Sequence, residues 1–265
     1  MNDNTYPTGI GTSDRENISV LGMDLATDML GKVSFSELAY WLATKRRPSA
    51  GEVTMLDTVL VALADHGFTP TAIAARMTYY SAPDSLQGAL AAGLLGGGSR
   101  FLGVTEDTGV FLHRAVVAAG READAYTDDD WDRLARELVG ATKATHGKVP
   151  GLGHPVHKER DPRTAVIIRV AHETGVYGPQ LALFEAIGRV HGAILGRTLP
   201  LNGAGVCGAA LADAGLPVEL LRGFALLART AGLIGHLAEE MRDPVAPTIY
   251  AEVDRNAVYR PPAED

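Results

Sequence analysis

The sequence predicts an all-α protein. Two segments, Ser34–Glu37 and Ser49–Glu52, have the spacing of a helix-capping box, and each opens an apolar run of helical period. The β-branched runs and short strand–helix alternation that would indicate a sheet are largely missing. Helices also accept proline in their first turn, and five prolines stand at such positions: Pro70, Pro83, Pro162, Pro179 and Pro217.

These signals predict the helices in order. The capping boxes open helices near 35–45 and 50–65. The prolines open five more, near 70–80, 84–95, 162–174, 179–195 and 217–241. Apolar spacing adds two, near 105–119 and 128–145. Residues 1–16 and the proline-containing tail after Asp243 are expected to be arms rather than core.

Composition limits the class of function. The 265 residues suffice for one large domain or two small ones. A net charge of −8 argues against binding to nucleic acid or membrane surfaces. The single cysteine, Cys207, excludes an internal disulfide and fits a reducing compartment. The acidic N-terminus does not resemble a signal peptide, and no apolar stretch is long enough to span a bilayer. We therefore expect a cytoplasmic protein.

The segment from Gly151 to Arg163 carries the clearest chemical signal. Its glycines allow a close backbone approach to a ligand. His154 can transfer a proton near neutral pH, and Arg163 offers a fork for a carboxylate. The segment therefore indicates a site for an anionic substrate that undergoes acid–base chemistry.

This segment resembles the signature loop of the citrate synthase superfamily, and the resemblance extends over nearly the whole chain. Further motifs resemble that family in the same order: Asp65-His66-Gly67 with Pro70 and Arg76, Ala92–Leu95 followed by Gly98–Phe101, Asn202–Gly205, and Arg229–Gly232 with His236 and Glu239. The second of these is similar to the citryl-CoA lyase module of ATP-citrate lyase.

The resemblance implies a fold with two helical domains. The large domain would comprise residues 1–103 and 217–265, and a smaller inserted domain would comprise 104–216. The resemblance also implies an active site in the cleft between them, a closure motion and a homodimer.

The resemblance also implies roles for charged residues. His154 would take the hydroxyl proton of a citrate-like substrate so that a carbon–carbon bond can break. His66, Arg163 and Arg229 would hold substrate carboxylates. Read without the resemblance, the histidines would be a turn cap and a helix C-cap, and the arginines surface ion pairs. Arg229 lies in an apolar helix, where an unpaired charge is costly, which favours the binding role.

A second group of residues would contact the rest of the substrate. Coenzyme A would enter as part of the substrate, with no cofactor bound permanently. Its contacts would fall to Gly151, Leu152, Gly153 and Lys158, because backbone amides and a basic side chain suit phosphate and pantetheine. Arg100 and Asn202 would also line the substrate site. The run Gly96–Ser99 lacks the lysine of a phosphate-binding loop and is better interpreted as a turn.

Two positions separate a lyase from a synthase. Phe101 stands where citrate synthases carry a histidine that stabilises the acetyl-CoA enolate. The lyase module carries phenylalanine there, so at this position the chain resembles the lyase. Ala204 stands where the family carries its catalytic aspartate, and alanine cannot transfer a proton. The substitution predicts weak or absent condensation of acetyl-CoA with oxaloacetate.

Three interpretations remain open. The first is a lyase that cleaves a 3-hydroxy-3-carboxyacyl-CoA such as citryl-CoA into acetyl-CoA and oxaloacetate. The second is an acyltransferase or thioesterase acting on another polycarboxylic acyl-CoA. The third is a non-catalytic protein that binds an acyl-CoA or a carboxylate. No metal site is expected, because His154, His157 and Glu159 fit no standard ligand spacing.

Overall fold

The computed structural model describes residues 5–120 and 125–262, and most of these residues are helical. The prediction of an all-α protein is therefore confirmed. The α-helices are α1 Phe35–Thr44, α2 Ala50–Ala64, α3 Pro70–Ser81, α4 Leu86–Leu95, α5 Gly103–Ala119, α6 Asp128–Ala144, α7 Pro162–Thr174, α8 Pro179–Leu195, α9 Gly203–Asp213, α10 Leu221–Arg242 and α11 Ala246–Arg255.

Local capping chemistry explains where several helices begin. Ser49 and Glu52 form a reciprocal capping box at α2, with the Ser49 amide donating to Glu52 at 2.7 Å and the Glu52 amide donating to Ser49 Oγ at 3.2 Å. Ser34 caps α1 by accepting from the Glu37 amide at 3.1 Å. Pro217 is followed by a 3₁₀ turn, Val218–Leu220, before α10 begins. The cap signals were thus reliable to within a few residues.

Two predicted arms contain regular structure instead. The N-terminal arm, residues 1–16, contributes β1 Gly11–Ser13 to a small antiparallel sheet with β2 Ile18–Val20 and β3 Met23–Asp24. The tail after Asp243 forms α11, whose first residue, Ala246, is fully buried. Glu240 of α10 accepts from the Ala246 amide at 2.9 Å and so caps this helix. The expectation that this tail is only an arm was therefore wrong.

Helix α9 was not predicted from the sequence. It is built mainly from glycine, alanine and other small residues, and nearly all of them are buried. A helix buried on every side shows no alternation of polar and apolar faces, so the periodic signal is missing. Asn202 caps its N-terminus by accepting from the Gly205 amide at 2.8 Å.

The contacts divide the chain into two compact units. The first unit comprises Met1–Val59 and Thr105–Leu221, and the second comprises Leu60–Val104 and Arg222–Asp265. In the first unit α8 packs on α6 and α9, and in the second α3 packs on α4 and α11. The division near 104 and 221 lies close to the predicted boundaries, but residues 1–59 group with 105–221. The large and small domains implied by the resemblance stay a prediction.

No helix within residues 5–120 and 125–262 combines the length and the apolar composition that crossing a membrane requires.

Candidate active site

The signature loop of the first unit is bonded to the N-terminus of α9. The Asn202 amide donates to the Gly151 carbonyl at 2.9 Å, and its side-chain Nδ2 donates to the Gly153 carbonyl at 2.8 Å. Gly151 and Gly153 both adopt positive φ, at 82° and 85°, which favours glycine at these positions. Asn202 is buried, and its amide group contacts the protein backbone at both ends. The described contacts therefore give Asn202 a structural part, whereas a substrate-binding part stays a prediction.

Asp161 is the charged centre of this region. Its buried carboxylate accepts from the Gly203 amide at 2.7 Å, the Arg163 amide at 3.1 Å, and Arg163 Nε and Nη2 at 3.0 and 2.8 Å. Burial opposes ionisation, but these donors outweigh it and hold the pKa of Asp161 well below its usual range. One carboxylate thus caps α7, pairs with Arg163 and satisfies the first amide of α9.

Arg163 is therefore already engaged with a carboxylate of the protein. The edge of its guanidinium that carries Nε and Nη2 faces Asp161 in a bidentate pair. The guanidinium also lies so close to α9 that a Cβ at Gly203 would overlap it. The sequence argument assigned Arg163 to a substrate carboxylate, but this edge of the fork serves Asp161 instead.

The ring of His154 is held by backbone donors. The amides of Val156 and His157 donate to Nδ1 at 3.1 and 3.0 Å. An Nδ1 that accepts two hydrogen bonds carries no proton, so these contacts assign the proton of the neutral ring to Nε2. The sequence argument made His154 a base. In this conformation Nε2 is a hydrogen-bond donor, which suits an oxygen that gains negative charge.

Two of the backbone amides expected to bind coenzyme A already have hydrogen-bond partners within the protein. The Leu152 and Gly153 amides, expected to contact the coenzyme, donate within the protein to the Val149 and Pro200 carbonyls at 3.4 and 2.8 Å. Lys158 is exposed, and its Nζ donates to the His154 carbonyl at 3.2 Å. Of the proposed coenzyme contacts, the Lys158 side chain is thus better placed to meet a phosphate than these two amides.

Ala204 lies half-buried in the first turn of α9, next to the amides that Asp161 and Asn202 cap. A carboxylate is favourable in this first turn because the helix dipole presents its positive end there. Asp213 lies at the other end of α9 and accepts from the amides of Gly178, Gln180 and Leu181 at 2.8 to 3.1 Å. Asp213 therefore caps α8 and does not replace the missing aspartate.

Cys207 follows the altered motif and is fully buried in α9. Burial raises the pKa of its thiol to about 12. A thiol that stays protonated is a poor nucleophile, so Cys207 is better interpreted as a small packing residue.

In the second unit, the carboxylate of Asp65 lies near the Arg229 side chain and contacts the turn that carries His66. Asp65, which precedes His66, accepts from the Gly67 amide at 2.9 Å and lies 3.8 Å from Arg229 Nη1. Burial opposes ionisation of Asp65, but hydrogen bonds from Gly67, His236 and His66 outweigh it and lower its pKa. Arg229 is nearly buried, as its apolar helix predicted, and its charge lies near that of Asp65.

The segment after α4 forms a tight turn. The Gly98 carbonyl accepts from the amides of Phe101, Leu102 and Gly103 at 3.0 to 3.2 Å, so the prediction of a turn is confirmed. Phe101 is 49% exposed and is not a core residue. Leu102 is buried where a Cβ at Gly97 would meet it. Arg100 is exposed in the same turn. Phe101 and Arg100 are thus accessible to a ligand, while Leu102 fills the core.

Sequence reasoning missed the roles of Asp161 and Asp65. Pro162 was used to open α7, but Asp161 was given no role, although aspartate before a first-turn proline is an N-cap signal. Asp65 was noted as part of a motif without a role of its own. Neither position shows from sequence which amides and cations surround its carboxylate.

The comparisons place the chain in a known family. The profile of the citrate synthase C-terminal domain matches residues 18–250. The chain therefore belongs to the citrate synthase family, as the ordered motifs predicted.

Individual relatives agree with this assignment. The structure is similar to citryl-CoA lyase from Hydrogenobacter thermophilus, with a TM-score of 0.83 and 29% identity over 98% of this chain and 96% of the other. It also resembles ATP citrate lyase from Methanosaeta concilii, an aspartate-to-alanine variant solved with (3S)-citryl-CoA. That match has a TM-score of 0.77 and 23% identity, and covers 98% of this chain and 42% of the other.

A curated relative matches part of its own length. ATP-citrate synthase beta chain protein 1 of Oryza sativa subsp. japonica is 29% identical over 202 residues, which is 71% of this chain and 31% of the relative. The chain thus spans about a third of the length of this relative.

Proposed function

We propose that this protein is a citryl-CoA lyase-like enzyme that cleaves a 3-hydroxy-3-carboxyacyl-CoA, with citryl-CoA as the substrate to test first. The observation that carries the proposal is the similarity to a citryl-CoA lyase over nearly the full length of both chains. The half-exposed Phe101, at the position where synthases carry histidine, supports cleavage rather than condensation.

The chemistry follows from the orientation of His154. The C3 hydroxyl of citryl-CoA loses its proton, the bond to the acetyl carbon breaks, and the carbonyl of oxaloacetate forms. The electron pair passes to the enolate of acetyl-CoA, which then takes up a proton. His154 Nε2–H donates to the C3 oxygen as its charge develops, a contribution of the kind made by an oxyanion-hole donor.

The remaining roles concern binding and the missing acid. His66 and Arg229 bind carboxylates of the substrate, and Arg163 contributes its charge from beside Asp161. Lys158 and the exposed Arg100 meet the coenzyme and acyl portions. Because His154 Nε2 already carries a proton, water takes the hydroxyl proton. Because Ala204 cannot transfer a proton, water also supplies the proton to the enolate. The expected enzyme is slow, by about 10²–10⁴-fold relative to one with an intact acid–base group.

The test is release of oxaloacetate from citryl-CoA, followed through coupled oxidation of NADH. We expect turnover by the wild type, loss of turnover in His154→Ala, and retention in the matched control His172→Ala, which removes an exposed histidine elsewhere in the first unit. Robust condensation of acetyl-CoA with oxaloacetate and no cleavage would contradict the proposal.

A second candidate is a non-catalytic protein that binds an acyl-CoA or a carboxylate. Ala204 favours it, because the anion-binding residues are retained while the acid–base position is lost. Calorimetric binding of coenzyme A and citrate by a protein that does not turn over citryl-CoA would support this candidate over the lyase.

A further inference from the structure

Three residues of the family motifs, Arg76, His236 and Glu239, have no part in the chemistry above, yet Arg76 contacts the other two in the second unit, where Arg76 and His236 are buried and Glu239 is exposed. Arg76 of α3 is fully buried. Its Nη1 donates to Glu240 at 2.9 Å, and its Nη2 pairs with Glu239. These carboxylates balance the buried charge, which would otherwise be costly. Phe68 lies over the guanidinium, with 4.9 Å between Cζ and the ring centre.

Arg76 also determines the protonation of His236. Its Nε and Nη2 lie 3.1 and 2.9 Å from His236 Nδ1. A guanidinium can only donate, so Nδ1 must accept and the proton of the neutral ring lies on Nε2. His236 Nε2 then donates to Asp65 Oδ1 at 2.9 Å. The buried arginine thus fixes which atom of His236 faces Asp65.

Asp65 passes this constraint to the turn that carries His66. Its carboxylate accepts from the Gly67 amide at 2.9 Å and from the His66 amide, so it caps the turn between α2 and α3. The same carboxylate lies 3.8 Å from Arg229 Nη1. One carboxylate therefore contacts both the backbone of the turn that carries His66 and the side chain of Arg229.

We propose that His236 is a positioning residue: with Arg76 behind it, it holds Asp65 and thereby sets the orientation of His66 and the charge beside Arg229. This inference rests on the proposed function in one respect, namely that His66 binds a substrate carboxylate. The hydrogen-bond chain itself does not depend on that function. Through these hydrogen bonds, the buried Arg76–Glu240 pair controls the geometry of the exposed His66.

Two substitutions at position 236 separate this role from a merely structural one. In His236→Gln, the amide nitrogen can occupy the place of Nε2 and keep the bond to Asp65. In His236→Asn, the amide oxygen can occupy the place of Nδ1 and keep the contact with Arg76, but the side chain is too short to reach Asp65. The positioning role predicts that Gln preserves the site and Asn impairs it. A role limited to satisfying Arg76 predicts the opposite order.

The first readout is independent of turnover. We would record the imidazole chemical shifts of His66 by ¹⁵N NMR at one fixed pH, with the signals assigned by loss in His66→Gln. We expect wild-type chemical shifts of His66 in His236→Gln and changed chemical shifts in His236→Asn. Unchanged His66 signals in a folded His236→Asn protein, or an equal shift in both variants, would overturn the proposal.

The second readout is the Kd of citrate by calorimetry, expected to rise on the order of tenfold in His236→Asn and to stay near the wild-type value in His236→Gln. If the wild type does not bind citrate, the proposed function fails, while the NMR result still decides the positioning role. Should His236→Asn fail to fold, Asp65→Ala breaks the same chain at a residue whose side chain is half-exposed and leaves the Arg76–Glu240 pair in place. It should shift the His66 signals in the same way, and unchanged signals would again overturn the proposal.

Discussion

At the scale of single residues, the position of a proton decides what a side chain can do. His154 and His236 each have an Nδ1 that accepts hydrogen bonds, so in each neutral ring the other nitrogen is the donor. For His154 the donor is Nε2, which under the proposed function faces the developing negative charge. For His236 it means a fixed link to Asp65. Neither role can be assigned from the presence of a histidine in a motif.

The clearest prediction at this scale concerns Ala204. We expect Ala204→Asp to raise the rate of citryl-CoA cleavage by at least about tenfold, because it restores a group that can protonate the enolate. The first turn of α9 should accept the carboxylate, since the helix dipole favours negative charge there. Single-turnover assays of wild type and variant would measure the effect.

The matched control for that experiment is Ala204→Asn. Asparagine has the same shape as aspartate but cannot transfer a proton. An equal rise in both variants would mean that shape or polarity, and not proton transfer, limits the reaction.

A second residue-scale prediction concerns Asp161. Asp161→Ala removes the partner of Arg163 and of the Gly203 amide, and leaves a partly buried cation without this carboxylate. We expect a loss of about 3 kcal/mol in the free energy of unfolding, measured by urea denaturation. The exposed pair Arg169–Glu173 provides the control, because Glu173→Ala should cost less than about 1 kcal/mol. Similar losses in the two variants would contradict the central role of Asp161.

At the scale of elements, close approaches between helices require glycine at particular positions. A Cβ at Gly232 of α10 would overlap the Ala64 carbonyl at the end of α2, just before Asp65 and His66. Gly235, one turn further along the same helix, has open space where its Cβ would be. The two positions share a helix and differ only in what surrounds them.

Alanine at these two positions should change the stability of the protein in opposite directions. Gly232→Ala should destabilise the protein by about 1–3 kcal/mol, because either the helix or the end of α2 must move. Gly235→Ala should stabilise it by up to about 1 kcal/mol, because alanine is the better helix former. Thermal unfolding of both variants measures the difference, and equal shifts in Tm would show that the close approach is not tight in solution.

At the scale of the whole molecule, carboxylates with lowered pKa values make the free energy of unfolding depend on pH. Hydrogen bonds from Arg46, opposed by burial, lower the pKa of Glu52 to about 2, and the pKa values of Asp161, Asp65 and Glu240 are also lowered. A carboxyl group whose pKa is lower in the folded than in the unfolded protein stabilises the folded state at pH values above its unfolded-state pKa. That contribution is lost as the pH falls towards the folded-state pKa.

Burial raises the pKa of Asp213 to about 7, so its protonation adds stability as the pH falls from about 7 to about 4. We therefore expect the urea midpoint not to fall between about pH 7 and about pH 4, and to fall steadily below that as the carboxylates with lowered pKa values become protonated. Asp161→Asn should show a shallower fall than the wild type, because it carries one lowered carboxyl group fewer. A midpoint that does not change down to about pH 3 would contradict this assignment.

The homodimer implied by the family is also a prediction at this scale. The second unit exposes individual apolar side chains, among them Val61 at 79% and Leu95 at 87%, which a dimer interface would cover. We expect sedimentation at twice the mass of the chain. Sedimentation at the mass of one chain, at concentrations where the protein is active, would reject the dimer.

Local signals in the sequence were enough to predict most helices and the family, because caps, first-turn prolines and ordered motifs act over a few residues. Ser49 with Glu52 and Asp161 before Pro162 show this at α2 and α7. Helix α9 escaped prediction because it is buried on every side, and α11 because its first amides are satisfied by Glu240 from α10.

The detailed chemistry of the site depended on contacts between residues far apart in the chain. That Arg163 turns one edge to Asp161, that Asp161 also holds Gly203, and that Arg76 fixes the tautomer of His236 are results of packing. The sequence identifies the donors and acceptors that are present. Which donor meets which acceptor follows from the folded arrangement, because hydrogen bonds and ion pairs depend steeply on distance and direction.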